Sequence, residues 1–210
     1  MIHPDTILRH VNDEIGSGVY ATRLIPRGTV VWAHDLLDRR FEAAELDRLP
    51  PGLRGIVERY AYVELDGSLV LCWDLGRYIN HACDPTTIAI GTVMEVAARD
   101  IQPGEEITSE YGPDNYALSF ECGCGAPRCR RAGVGLDRAA LWRRWDEEAA
   151  VALASAGGVD QPVLREIGVE GPAGWIVAAV LAGRSVSLPA WSQGASREDW
   201  VHGPRPVASR

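Results

Sequence analysis

The chain has no lysine. All 21 of its basic side chains are arginine, set against 29 carboxylates, and the net charge is −8. That deficit excludes the basic stripe with which a protein neutralises nucleic-acid phosphates. It suits a positively charged partner and plain solubility equally well. The missing lysine, beside abundant Ala, Gly and Arg, fits the codon usage of a GC-rich genome. Long apolar runs are missing too. WIVAAVLA (175–182) is the longest, far short of the roughly 20 residues that span a bilayer. The opening MIHPDTILRHVNDE lacks the apolar stretch of a signal peptide. The expectation is a cytoplasmic chain (nuclear if eukaryotic) with no membrane and no direct nucleic-acid contact. In a reducing compartment, five cysteines point to metal or catalysis rather than disulfides.

At 210 residues the chain holds one good-sized domain, or one with an appendage. ILRHV and EIGSGVYATRLIPRGTVVWAH read as short strands, with IPRG a Pro-initiated turn. EAAELDRL (42–49) predicts a helix closed at Pro50-Pro51-Gly52, and LRGIVERY a second. AYVELDGSLVLCW reads as a hairpin across Asp66-Gly67. TTIAIGTVMEVAARDI alternates as two strands, and QPGEEIT as turn plus strand. Past Arg131 the texture turns helical. Asp137 stands as a cap, with Leu141, Trp145, Ala149 and Ala152 at helical spacing. Further helices are predicted around 161–168 and 173–182. Residues 191–210 read as a flexible tail.

Cys122, Cys124 and Cys129 give C-x-C-x4-C, a knuckle in which Gly123 permits a tight bend. It supplies three ligands, and a closed structural zinc site takes four. Cys72 and Cys83 are the candidates for the fourth. Cys72 lies within LVLCW, where a small buried hydrophobe is the default reading. Cys83 lies in the turn NHACDP, which can present a thiolate outward, and is preferred. Closure by Cys83 would bring NHACDP and ECGCGAPRC together and make the 120s segment depend on the metal.

Four blocks in order over residues 6–131 resemble the SET-domain protein lysine methyltransferases. GSGVYATRLIPRGTVV resembles the family's opening G-x-G segment. RYINHACDP resembles its R-F-I-N-H-S-C-x-P, ARDIQPGEEITSEYG its D-I-x-x-G-E-E-L-T-Y-D-Y-G, and FECGCGAPRC its post-SET zinc knuckle. The resemblance implies a mainly β fold with short helices: a β-clip of small sheets with a pseudoknot, followed by a helical C-terminal extension. The boundaries implied are 6–113 for the SET domain, 114–131 for the post-SET segment, 132–190 for the extension and 191–210 for the tail. The activity implied is transfer of a methyl group from S-adenosylmethionine to a lysine amine of a protein substrate. A catalytically silent module, binding zinc and cofactor, is the alternative.

By residue match, Gly16, Ser17, Gly18, Asn80, His81 and Tyr111 would hold the cofactor, joined by Tyr60 or Tyr62, and Tyr111 would also be the active-site tyrosine. Ser109 and Tyr78 would line the substrate channel, and Cys83, Cys122, Cys124 and Cys129 would bind zinc. Three departures stand out. Ser109 replaces an aromatic residue that bounds the channel, which implies more room or another side chain in the gap. Thr86 stands where the family has asparagine, and Ser17 where it has a bulkier residue. There is no zinc-rich pre-SET block.

Overall fold

A computed structural model describes residues 1–111, 121–127, 129–131 and 138–203. The expected cap Asp137 lies outside the described residues. Ten short strands make three small sheets among those residues. The strands are β1 (Thr6–Asn12), β2 (Gly16–Ala21), β3 (Val30–Ala33), β4 (Arg39–Phe41), β5 (Tyr62–Val63), β6 (Leu69–Leu71), β7 (Asn80–His81), β8 (Thr87–Ile90), β9 (Met94–Ala97) and β10 (Glu106–Ser109). The sheets run β1-β2-β10-β7, β3-β9-β8 and β4-β6-β5.

Local chemistry explains most of the turns. Gly28 (φ +87°), Gly67 (φ +85°) and Gly91 (φ +59°) take the left-handed conformation after Pro26-Arg27, inside the Asp66-Gly67 hairpin and between β8 and β9. The 66–67 hairpin pairs Tyr62 with Val70 and Val63 with Leu69. Pro51 does not stop a helix; it opens one. Helix α1 is only Ala43–Leu46, and α2 (Pro51–Tyr60) carries Pro at its first position, where a missing N–H costs nothing.

Strand β10 is the element that makes a site. It pairs antiparallel with β2 (Glu106↔Tyr20, Ile107↔Val19) and parallel with β7 (Thr108↔Asn80, Ser109↔His81). Strands far apart in sequence are therefore zipped side by side, with Thr86 holding the seam. Its hydroxyl accepts the Thr108 N–H at 2.9 Å, and its own N–H reaches Thr108 Oγ1 at 3.2 Å.

Beyond the sheets come α3 (Arg138–Ala154), α4 (Pro162–Ile167), α5 (Gly174–Leu181) and α6 (Arg197–His202). They share one core with β3, β8 and β9, in which Ile88, Ile90 and Met94 meet Trp145, Leu164, Ile176 and Trp200. Trp191 and Trp200 are 5% and 1% exposed, and α6 has a full Ser196/Asp199 capping box. The tail reading is corrected for 191–203: two tryptophans need burial, and this segment supplies them to the core. Residues 204–210 lie outside the described residues.

Candidate active site and metal centre

Strands β2, β7 and β10 bring three of the sequence blocks to one sheet. Gly16 starts β2 at φ +87°, and only the Arg59 guanidinium, 3.8 Å away, stands near the position a Cβ would take. Gly18 is under a different constraint. A Cβ there would lie 2.8 Å from Asn80 Nδ2 and 2.9 Å from Val11, and closer still to Glu106. Glycine therefore lets the Asn80 side chain cross to β2, where its amide donates to the Ser17 carbonyl (3.1 Å) and to Glu106 (2.8 Å). Glycine 16, Ser17, Gly18 and Asn80 thus occupy one small region.

His81 and Tyr111 meet at the other end of β7. Their rings are 5.4 Å apart, and the Tyr111 N–H donates to His81 Nδ1 at 3.3 Å. Burial, helped by Arg130, pushes the His81 pKa down to about 4, so the ring is neutral at pH 7. The other ring nitrogen, Nε2, faces Cys83 Sγ at 3.4 Å. The Tyr111 hydroxyl donates to the Ile79 carbonyl at 2.7 Å.

The two candidate tyrosines part company: Tyr60 ends α2 and Tyr62 starts β5. Tyr62 packs edge-on against Trp32, with its hydroxyl 3.4 Å from His34 Nδ1. Tyr60 lies against Tyr78 (5.2 Å) under the Arg59 guanidinium, on the Gly16 side. Ser109 is buried, and its hydroxyl does not open onto empty space: it donates to Glu95 at 2.5 Å. Thr87 donates to the same carboxyl at 2.6 Å. A glutamate on β9 stands behind Ser109.

The four cysteines converge. Their sulfurs all lie within 4.8 Å of one another, with Cys83 3.8 Å from Cys122 and 4.0 Å from Cys129. Four sulfurs around one zinc, at a Zn–S length of about 2.3 Å, stand about 3.8 Å apart. Three backbone N–H groups point at this cluster: Cys83 to Cys124 Sγ, Arg130 to Cys83 Sγ and Arg131 to Cys129 Sγ. Such donors suit thiolates. Burial raises the Cys124 thiol, but the N–H groups of Cys83 and Ala126, together with the Cys122 and Cys129 thiols, bring it down to about 7. Burial pushes Cys122 up to about 12. Thiols this close cannot all ionise without a cation among them. The donor set fits a structural zinc. Cys72 lies elsewhere, buried in the core with Val19, Ile79 and Ala97.

Three residues were not singled out in the sequence: Glu95, Glu110 and Arg130. Glu110 precedes Tyr111, and Arg130 follows Cys129. Adjacency is the only signal for those two, and Glu95 has none.

A family model for the SET domain matches residues 16–112. The histone-lysine N-methyltransferase set1 of Dictyostelium discoideum is 42% identical over 88 residues, 37% of this chain and 6% of that protein. The histone-lysine N-methyltransferase trr of Drosophila melanogaster is 30% identical over 129 residues, 55% of this chain and 5% of its own length. An H3 lysine-36-specific enzyme of Aspergillus oryzae is 28% identical over 141 residues, 63% of this chain and 13% of that one. The chain therefore spans a small fraction of these relatives. The crystal structure of the methyltransferase domain of human Histone-lysine N-methyltransferase SETMAR is 20% identical, covers 64% of this chain and 58% of that one, and superposes with a TM-score of 0.45. With its glycine strand, its N-H-x-C turn and its tyrosine strand joined in one sheet, and the family model running across all three, this chain carries a SET domain over residues 16–112.

Proposed function

We propose that the chain is a protein-lysine N-methyltransferase that takes its methyl group from S-adenosylmethionine. The observation that supports this reading is the insertion of β10 between β2 and β7, which joins the Gly16–Gly18 strand, the Asn80-His81 strand and the strand leading to Tyr111 in one sheet. The substrate is a lysine-bearing protein. The relatives' names concern histone lysines, and a chain of net charge −8 is complementary to a basic substrate of that kind.

The residues present fit the cofactor. Gly16 leaves open space in front of its Cα, with only Arg59 near it, and Gly18 lets Asn80 reach across to the same strand. Gly16–Gly18, Asn80 and His81 would hold the cofactor, with Tyr60, on the Gly16 side, the nearer of the two candidate tyrosines. When bound, S-adenosylmethionine supplies an activated methyl on a sulfonium. The chain's own contribution is position and dryness. The bond from Tyr111 to the Ile79 carbonyl fixes the phenol and leaves its oxygen as an acceptor suited to polarised C–H groups. An amine entering between buried elements loses its proton more readily than in water, so no dedicated base is required. Zinc, held by Cys83, Cys122, Cys124 and Cys129, would staple the post-SET segment over the Asn80-His81 turn.

The test pairs calorimetric titration with S-adenosylmethionine and transfer of labelled methyl to lysine-rich proteins. Binding and labelling are expected. Tyr111→Phe should keep binding and lose on the order of a hundredfold in kcat, as when one transition-state hydrogen-bonding group is removed. Cofactor binding with no label on any substrate would make this a silent binding module instead.

A further inference from the structure

We propose that the buried Glu110–Arg130 ion pair is a positioning device: it makes the placement of Tyr111 depend on closure of the cysteine cluster. Glu110 is the residue before Tyr111, and Arg130 the residue after Cys129. The Arg130 Nη2 lies 2.6 Å from one Glu110 oxygen and 2.7 Å from the other. The side chains are 19% and 3% exposed, so the pair is largely withdrawn from water. Removing one partner of such a pair strands a buried charge, and the loss is far larger than at a surface pair.

The chain's connectivity gives the pair its direction. The Arg130 backbone N–H donates to Cys83 Sγ, while its guanidinium holds Glu110. One residue therefore touches the cluster with its main chain and the tyrosine strand with its side chain. A second path runs alongside. His81 Nε2 faces Cys83 Sγ, and its Nδ1 takes the Tyr111 N–H. Tyr111 sits just past the end of β10, so the ladder no longer fixes it. One contact of its backbone, the N–H bond to His81, leads back to the cysteines. If the cluster opens, Arg130 leaves, Glu110 is left buried without its cation, and the strand end must move.

The kinetic arm of the test rests on the methyltransferase reading; the spectroscopic arm does not. Protein loaded with zinc and labelled with 3-fluorotyrosine carries one resonance that vanishes in Tyr111→Phe. In the wild type that resonance should be narrow, and it should broaden or split when zinc is chelated. In Glu110→Gln it should already be broad with zinc bound, and Arg130→Lys, which keeps the charge, should restore most of the narrow signal relative to Arg130→Met. In kinetics, Glu110→Gln should lower kcat by roughly ten- to hundredfold with little change in KM, as for a misplaced catalytic group. Chelation should then cost the variant much less than it costs the wild type. An unchanged Tyr111 resonance in Glu110→Gln, or equal fractional losses on chelation, would overturn the proposal. Zinc content measured on each variant separates this from simple loss of the metal, since Glu110→Gln is expected to retain it. Spectral coupling without any methyl transfer would sink the enzyme reading and leave the coupling standing.

Discussion

Glu95 is a carboxyl in a core, held by two hydroxyls. Burial raises its pKa to about 7; Ser109 and Thr87 pull the other way, and nearby Glu110 adds to the rise. Between about pH 4.5 and about pH 7 the folded state holds a proton that the unfolded chain has released. The stability contributed by this site is whole below that window and lost as pH rises through it. At about 1.4 kcal/mol per pH unit, the loss is on the order of 3 kcal/mol. Melting curves should show the wild type weakening from about pH 4.5 to about pH 7, and Glu95→Gln, which can bond both hydroxyls without ionising, should flatten that slope. A variant with the wild-type slope would show that another group titrates. Gly18 gives a second prediction at this scale. Gly18→Ala drives a methyl into Asn80 and Val11, so it should cost about 1–3 kcal/mol of stability. Weaker S-adenosylmethionine binding by calorimetry should accompany that loss.

At the scale of elements, the cysteine knuckle is an element only with its partner turn. It has no helix or strand of its own among the described residues. Its order comes from four sulfurs and a few N–H···S contacts. Cys83→Ser and Cys129→Ser should each release zinc, read by elemental analysis, and Cys72→Ser should not, since Cys72 serves the core. Retention of zinc by both of the first two would remove the site. The C-x-C-x4-C spacing announced the trio from sequence, because ligands a few residues apart are a local property. The fourth ligand lies 39 residues before Cys122 and was legible only as a preference for a turn over a strand. Hairpins, strands and most helices were likewise visible in turn residues and periodicity. The role of Pro51 was not: a proline that ends one helix and one that begins another look alike until the flanking apolar contacts choose.

For the whole molecule, the helical C-terminal region is part of the fold's core. Gln161 shows how closely it is joined: its amide accepts the Val30 N–H (2.9 Å) and donates to the Gly28 carbonyl (2.8 Å), all buried. Arg197 on α6 lies 3.6 Å from the fully buried Glu64 of the hairpin. Trp200 fills a space against Gly91, where any side chain would collide with its ring. Trp200→Ala should therefore cost about 3–5 kcal/mol, read by denaturant unfolding. It should also lower the melting temperature of the SET domain itself, as one cooperative unit with the helices. Two separate transitions, with only the later one shifted, would show independent domains.

The amino-acid sequence by itself determined the short strands, the glycine turns, the thiol trio and the blocks that carry Asn80, His81 and Tyr111, because each depends on neighbours a few residues away. Only the tertiary structure decided that Glu95 stands behind Ser109, that Arg130 holds Glu110, and that the last tryptophans belong to the core. Those are contacts between segments brought together by β10 and by apolar burial. Their partners are chosen by distance in space, which side-chain periodicity does not encode.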